Sequence, residues 1–229
     1  MSLATYKDLC IDARAAEVAA RFWGVLLDLA PAPHRDGVWR LDDPAGSPLV
    51  WINPVPEPKT VKNRVHLDVN AEGLEAALDA GATVVDGDSF RWTVLQDPDG
   101  QEFCVFVREG PVERRLYELG WDSGPDPARC LEMAHWWAEV LGGRVDQDRD
   151  EGFSWIEGVP QTPFESVVFV PVPEPKVVKN RVHLDVTTDD VEALVAHGAR
   201  VLRERGEDGI GWTVLADPDG NEFCAFTPD

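Results

Sequence analysis

Val55-Pro-Glu-Pro-Lys-Thr-Val-Lys-Asn-Arg-Val-His-Leu-Asp-Val69 occurs twice in this chain, returning from Val172 to Val186 with one change, Thr60 to Val177. A second phrase follows each copy after a helix-like segment: Trp92-Thr-Val-Leu-Gln-Asp-Pro-Asp-Gly-Gln-Glu-Phe-Cys104, and Trp212-Thr-Val-Leu-Ala-Asp-Pro-Asp-Gly-Asn-Glu-Phe-Cys224. The sequence between the phrases has diverged. A fixed-period match of this kind points to a duplicated structural unit, and 229 residues suit two units of roughly 110. The division expected is 1–110 and 115–229, with residues 108–115 as the linker.

Outward from the twin stretch the pattern is strand, helix, strands, in each half. Residues 6–12 alternate as a strand, and Ala13 to Leu29 reads as a helix, with Val18, Phe22, Val25, Leu26 and Leu29 at three- and four-residue steps until Pro31 ends it. Short strands are expected at Val38–Leu41 and Leu49–Ile52. Pro54, Pro56 and Pro58 then form a stiff crossover. Asn63–Val69 is a strand, Glu72–Ala80 a helix closed by Gly81, and Phe90–Leu95 and Glu102–Val107 are strands joined by an Asp97-Pro-Asp-Gly100 turn. The second half repeats this order. Its strands are Tyr117–Asp122, Phe153–Ile156, Ser166–Val170, Asn180–Val186, Gly211–Leu215 and Glu222–Phe226, and its helices Pro127–Leu141 and Asp189–His197.

Composition narrows the function. The net charge of −21 leaves too little positive surface for nucleic acid or an anionic membrane. No apolar run is long enough to span a bilayer, the N-terminus lacks signal-peptide order, and Cys10, Cys104, Cys130 and Cys224 have neither CxxC spacing nor disulfide density. A cytoplasmic protein is expected. Four of its five lysines, Lys59, Lys62, Lys176 and Lys179, lie in the twin stretch. They either balance nearby carboxylates or form a positive collar that steers an anionic ligand.

With its Phe22-Trp23 helix, matched by Trp136-Trp137 in the second half, and its Asn-Arg-x-His-Leu-Asp strand and Asp-Pro-Asp-Gly-x-Glu-Phe-Cys ending, both in two copies, the chain resembles the vicinal-oxygen-chelate superfamily of glyoxalases, bleomycin-resistance proteins and extradiol dioxygenases, in its glyoxalase-like branch. The resemblance implies an α+β fold of four βαβββ modules forming two cupped mixed sheets. It also implies an intramolecular pseudo-dimer of two tandem domains, each expected to hold one cup.

Period-2 alternation sorts the cup residues. Val65, Leu67 and Val69 face the helices, whereas Arg64, His66 and Asp68 face the cup, joined by Glu102, Cys104 and Phe106 and, from the first strand, Asp8, Cys10 and Asp12. The second copy supplies Glu118, Gly120, Asp122, Arg181, His183, Asp185, Glu222, Cys224 and Phe226. Metal-dependent members of the superfamily ligate their ion on these strands, and the alignment sets Asp8, Arg64 and Cys104 at those places. Arginine is a permanent cation that only donates, so the usual triad is absent and no metal or other cofactor is expected. Zinc, iron or manganese held by His66, Cys104 and Asp8 or Glu102 is the alternative, with cysteine favouring a softer ion.

Without a metal, Arg64 is expected opposite Asp8 in a buried ion pair, or bidentate on a ligand carboxylate or phosphate. His66 and His183 are the candidate catalytic bases, with Asp68 and Asp185 holding their tautomers. Cys104 is either a small core residue or a nucleophile that His66 would have to activate. Trp23, Trp136 and Trp137 are expected in the core; Trp51, Trp92 and Trp212 either pack there or line a cup for a flat ligand. The reading is of a protein that binds a small anionic or aromatic organic molecule in the manner of bleomycin-resistance proteins. Its alternative is a lyase or isomerase of glyoxalase type, metal-assisted or using His66 and His183; a third is that one copy is purely structural and shapes the cup of the other.

Overall fold

In a computed structural model, which describes residues 2–228, the sixteen strands form two eight-stranded mixed sheets. The first half contributes β1 (Thr5–Ala13), β2 (Ala30–Pro33), β3 (Trp39–Asp42), β4 (Pro48–Pro54), β5 (Val65–Ala71), β6 (Thr83–Asp86), β7 (Thr93–Gln96) and β8 (Glu102–Val107), with helices α1 (Ala16–Leu27) and α2 (Glu75–Asp79). The second contributes β9 (Leu116–Ser123), β10 (Arg144–Gln147), β11 (Ser154–Glu157), β12 (Ser166–Pro171), β13 (Val182–Thr187), β14 (Arg200–Arg203), β15 (Thr213–Ala216) and β16 (Glu222–Phe226), with α3 (Pro127–Leu141) and α4 (Val191–Ala196). Four βαβββ modules in an α+β fold are thus present.

The strand orders are β14-β15-β16-β13-β1-β4-β3-β2 and β10-β11-β12-β9-β5-β8-β7-β6. Each sheet therefore takes one module from each half, which corrects the expectation of one cup per half. In the first sheet β1 runs antiparallel to β13, with Asp8 opposite Asp185 and Cys10 opposite His183. In the second β5 runs antiparallel to β9, with Asp68 opposite Glu118 and His66 opposite Gly120.

The long helices tie the two sheets together. Helix α1 follows β1, yet its Phe22 and Trp23 pack edge-on to Phe103 of β8, with centroids 5.6 and 5.2 Å apart. Trp137 of α3, which follows β9, packs likewise on Phe223 of β16 at 5.2 Å. All five rings are buried, as expected for the helical tryptophans. Burying aromatics of this size contributes about 25 cal/mol for each Å² of apolar surface removed from water. The Asp-Pro-Asp-Gly turns hold these helices from the other side. Trp23 Nε1 donates to Asp97 at 3.2 Å and Trp137 Nε1 to Asp217 at 3.2 Å, while the second oxygen of each aspartate accepts backbone N–H groups of its own turn.

Helix α3 spans the predicted Pro127–Leu141, with Asp126 accepting from Ala128 N as its N-cap and Pro127 opening the first turn. Ala30–Pro33, read from sequence as a helix stop, is instead an edge strand paired with β3, where proline's missing N–H faces no neighbour. The edge strands β6, β10 and β14 carry no clear alternation and were not expected.

Candidate functional site

Cup A and cup B are the sheet faces that carry the two His-x-Asp pairs. Cup A is floored by β1, β13 and β16, so Asp8, Cys10 and Asp12 meet His183, Asp185 and Cys224 from the other half, not the residues of their own half. Cup B is floored by β9, β5 and β8, where Glu118, Gly120 and Asp122 meet His66, Asp68 and Cys104.

The expected Arg64–Asp8 ion pair does not form, because the two residues lie in different sheets. Arg64 Nη1 instead donates to the Glu174 carbonyl at 2.5 Å, and Nη2 to the Asp122 and Ser123 carbonyls at 2.8 and 3.2 Å. Arg181 makes the reciprocal contact, with Nη2 2.5 Å from the Glu57 carbonyl. Both guanidinium groups brace the opposite proline-rich crossover. The four lysines pair with carboxylates: Lys59 with Glu102 at 2.7 Å, Lys176 with Glu222 at 2.8 Å, Lys62 with Asp122 at 2.5 Å, and Lys179 with Asp12. Glu102 and Glu222 also accept the backbone N–H groups of Asn63 and Asn180 at 3.0 Å. These four carboxylates anchor the crossovers, and the lysines do not form an unpaired collar.

Each floor retains a histidine, an aspartate and a thiol. The ligand atoms of Cys10, His183 and Asp185 lie within 4.8 Å of one another, as do those of His66, Asp68 and Cys104. His66 Nε2 is 3.3 Å from Asp68 Oδ1; the His183–Asp185 equivalent is 3.7 Å. One substitution accounts for much of the difference between the cups. Gly120 stands where cup A has Cys10, and a Cβ at Gly120 would sit 2.3 Å from His66 Nε2. The His66 ring occupies that space. Gly120→Cys is therefore expected to displace His66 from the floor and weaken its pairing with Asp68. The check is the His66 titration followed by NMR; an unchanged titration would refute this account of the cup.

Burial dominates the electrostatics of the floors. It raises the pKa of Asp185 against the opposing charges of His183 and Lys7, and that of Glu118 against a 2.5 Å hydrogen bond from Ser166. Burial pulls His66 down, but the hydrogen bond and charge of Asp68, with Asp122, outweigh it, and its pKa is raised. Burial and the neighbouring aspartate push the Cys104 and Cys224 thiols far up. Both thiols are therefore protonated at neutral pH and poor nucleophiles. Cys10 donates to Asp185 at 3.5 Å, and its pKa is likewise raised by burial.

Aromatic rings line the walls. In cup B, Phe90 stacks on Trp92 at 5.0 Å, Trp92 on Phe106 at 5.3 Å, and Phe106 meets Tyr117 edge-on at 5.3 Å. Arg108 lies over both Phe106 and Tyr117. In cup A, Trp212 stacks on Phe226 at 5.3 Å, with Lys7 over Phe226 and paired to Asp8. Trp51, on β4 opposite Cys10, is half-buried against His34. Sequence reasoning found Trp92, Trp212, Phe106 and Phe226, but not Phe90, Tyr117, Arg108 or Ser166. Alternation along β9 sets Tyr117 on the face opposite Glu118, and a register shift between Asp68 and Val69 brings it instead against Phe106 on the cup face.

A family model for the glyoxalase-like domain matches residues 8–106 and again 124–226. The chain belongs to that family. No curated protein sequence matches it. Among solved structures, this glyoxalase-like chain is similar to glyoxalase I from Zea mays, with 15% identity and a TM-score of 0.67 over 97% of this chain and 92% of that one. It is also similar to a putative dioxygenase from Bacillus subtilis subsp. subtilis str. 168, with 12% identity and a TM-score of 0.64 over 99% and 86% of the two chains. At such identities the likeness is one of fold.

The donor chemistry of the two clusters fits a borderline-soft divalent cation. Each offers one imidazole nitrogen, one carboxylate oxygen and one sulfur. In cup A the buried His183 Nδ1 and Asp185 Oδ1 have no hydrogen-bond partner, an unsatisfied state that is costly for buried polar atoms. Among the described residues no helix is long and apolar enough to cross a membrane.

Proposed function

We propose that this glyoxalase-like protein binds a small, flat organic molecule in its cups, with cup B the better formed. The observation that carries this reading is the wall of four contacting rings, Phe90, Trp92, Phe106 and Tyr117. Its outermost member, Phe90, is 52% exposed. An aromatic ligand would extend that stack, a contact worth about 0.5–1.5 kcal/mol per ring pair beyond the area buried. The floor below, with Asp68 opposite Glu118, is acidic, and Arg64 is directed at carbonyls. The reading therefore keeps the aromatic ligand and favours one with a positively charged or hydrogen-bond-donating edge over an anionic one.

The test is calorimetric titration with two probes of equal size, naphthylmethylammonium and naphthoate. Saturable binding of the cation is expected, weakened at least about tenfold, or ~1.4 kcal/mol, in both Trp92→Ala and Asp68→Asn. Tighter binding of naphthoate would overturn the charge preference, and no saturable binding of either probe would overturn the reading.

The two His/Asp/Cys clusters favour a second reading, a metal-assisted lyase or isomerase. His66, Asp68 and Cys104 would hold a divalent ion in cup B, and His183, Asp185 and Cys10 in cup A. Such an ion supplies Lewis-acid polarisation of a ligand oxygen. Glu118, its pKa raised by burial, is placed across the strand pair from Asp68 to move a proton. Cobalt titration should then give thiolate-to-metal absorption bands that Cys104→Ser and Cys10→Ser each reduce. Bands unchanged in both variants would refute these ligand sets.

A further inference from the structure

The crossovers that arginine and lysine brace enclose a feature that neither cup uses. A groove of about 250 Å³ runs between the twin stretches, lined from one side by residues 57–64 and from the other by 178–181. In a chain of net charge −21, this groove gathers Lys59, Lys62, Arg64, Lys179 and Arg181 against a single carboxylate, Glu57. Three of those cations already have carboxylate partners outside the lining, but an ammonium has three donors and each lysine retains capacity. The arginines are less satisfied. Arg181 is only 8% exposed, and its Nη1 has no hydrogen-bond partner; Arg64 is half-buried, and its buried Nε has no partner either. Buried guanidinium donors left unpaired are costly, and both arginines that carry one line this groove, each reaching across to the opposite crossover.

We infer that this seam is a binding site for a small oxyanion, a phosphate or carboxylate group, separate from both cups. Guanidinium groups recognise planar or tetrahedral oxyanions through paired N–H···O bonds, and the two unpartnered arginine donors come from opposite sides of one narrow groove. Elsewhere the acidic surface repels anions, which makes the seam selective by position. The expected anionic ligand of the twin stretch is thereby placed between the cups, not on their floors. Because the same crossovers lead directly into β5 and β13, an anion bound here would fix the approach to both floor strands at once.

The experiment is titration of inorganic phosphate, and separately of acetate, into the full chain at constant ionic strength set with sodium chloride. Calorimetry is the readout. Saturable binding of at least one of the two is expected, and the tighter one identifies the oxyanion class. Arg181→Gln should weaken it at least about tenfold. Because Arg181 also braces Glu57, Val178→Glu serves as the second variant. Val178 is 43% exposed in the groove lining, so the substitution adds a carboxylate without removing a support, and it should abolish binding. Trp92→Ala, in cup B, should leave binding unchanged. The inference is overturned by responses no larger than that to chloride, by binding that survives Val178→Glu, or by binding that Trp92→Ala removes. The last result would assign the anion to the cup and would also contradict the cation preference argued for it.

Discussion

Trp137→Ala is expected to be the most damaging single substitution away from the cups. The indole is 1% exposed, packs on Trp121, Trp136 and Phe223, and donates to the buried Asp217. Truncating a buried aromatic costs about 3–5 kcal/mol, and the loss of a donor to a buried carboxylate adds roughly 1–3 kcal/mol. In a chain of this length each kcal/mol lowers Tm by about 2–4 °C, so a fall of roughly 10 °C or more should appear in calorimetry and urea unfolding. Trp137→Phe separates the two contributions, since it keeps most of the ring and loses the N–H. A cost below about 1 kcal/mol for the alanine variant would mean that α3 is not the bridge between the sheets described above.

The second large effect is on pH. Burial raises the pKa of Asp97 and of Asp217 from 3.8 to about 6, despite the N–H groups that each accepts. Above pH 6 both are ionised, folded or unfolded, and the full burial penalty is present. Between about pH 6 and 4 the folded chain takes up protons that the unfolded chain does not, so stability rises as pH falls. A two-unit shift corresponds to on the order of 2–3 kcal/mol for each residue. His66 acts in the same direction: its raised pKa contributes stability below about 6.5 that is lost as pH rises through the folded value. Self-repulsion at −21 also eases on acidification. The opposite trend begins lower, where Glu102, held down by Lys59 against its burial, must be protonated below its ordinary 4.5. Tm should therefore peak between about pH 4 and 5 and decline towards pH 8. Asp217→Asn should flatten the slope between pH 6 and 4. A stability maximum at or above pH 7 would contradict the assignment.

The sequence made the modules legible, because their cause is local. Period-2 alternation set Val65, Leu67 and Val69 against the helices, and all three are buried. The span Pro127–Leu141 was read from sequence as the helix that forms α3, and the helical spacing of Trp136 and Trp137 placed them in the core. Pairing between modules is different. β1 presents the same alternating edge whether its neighbour is β5 or β13, which carry the same Val-His-Leu-Asp-Val sequence. Nothing local distinguishes those partners. The Arg64–Asp8 pair was lost with that choice, and so was the grouping of Cys10 with His183. The aromatic wall was half visible for a related reason: Phe106 lies on β8, whose face alternation assigns, whereas Phe90 and Trp92 sit in the irregular segment before β7 and Tyr117 at a register shift.

The cross-paired sheets have a consequence for the chain as it is made. Strands β5 to β12, which complete the second sheet, are contiguous from Val65 to Pro171. The first sheet surrounds them in sequence, because β1 must wait for β13, whose Val182 pairs with Ile11. During synthesis, which proceeds from the N-terminus, the inner sheet can close while the first 54 residues still lack their partner. The first module is then a tethered arm with an open strand edge until the last module emerges. A chain truncated before β13 would keep that edge unpaired, with the aggregation hazard of any exposed strand, even though its first βαβββ unit is intact in sequence. The closing step of the fold is the pairing of β1 with β13.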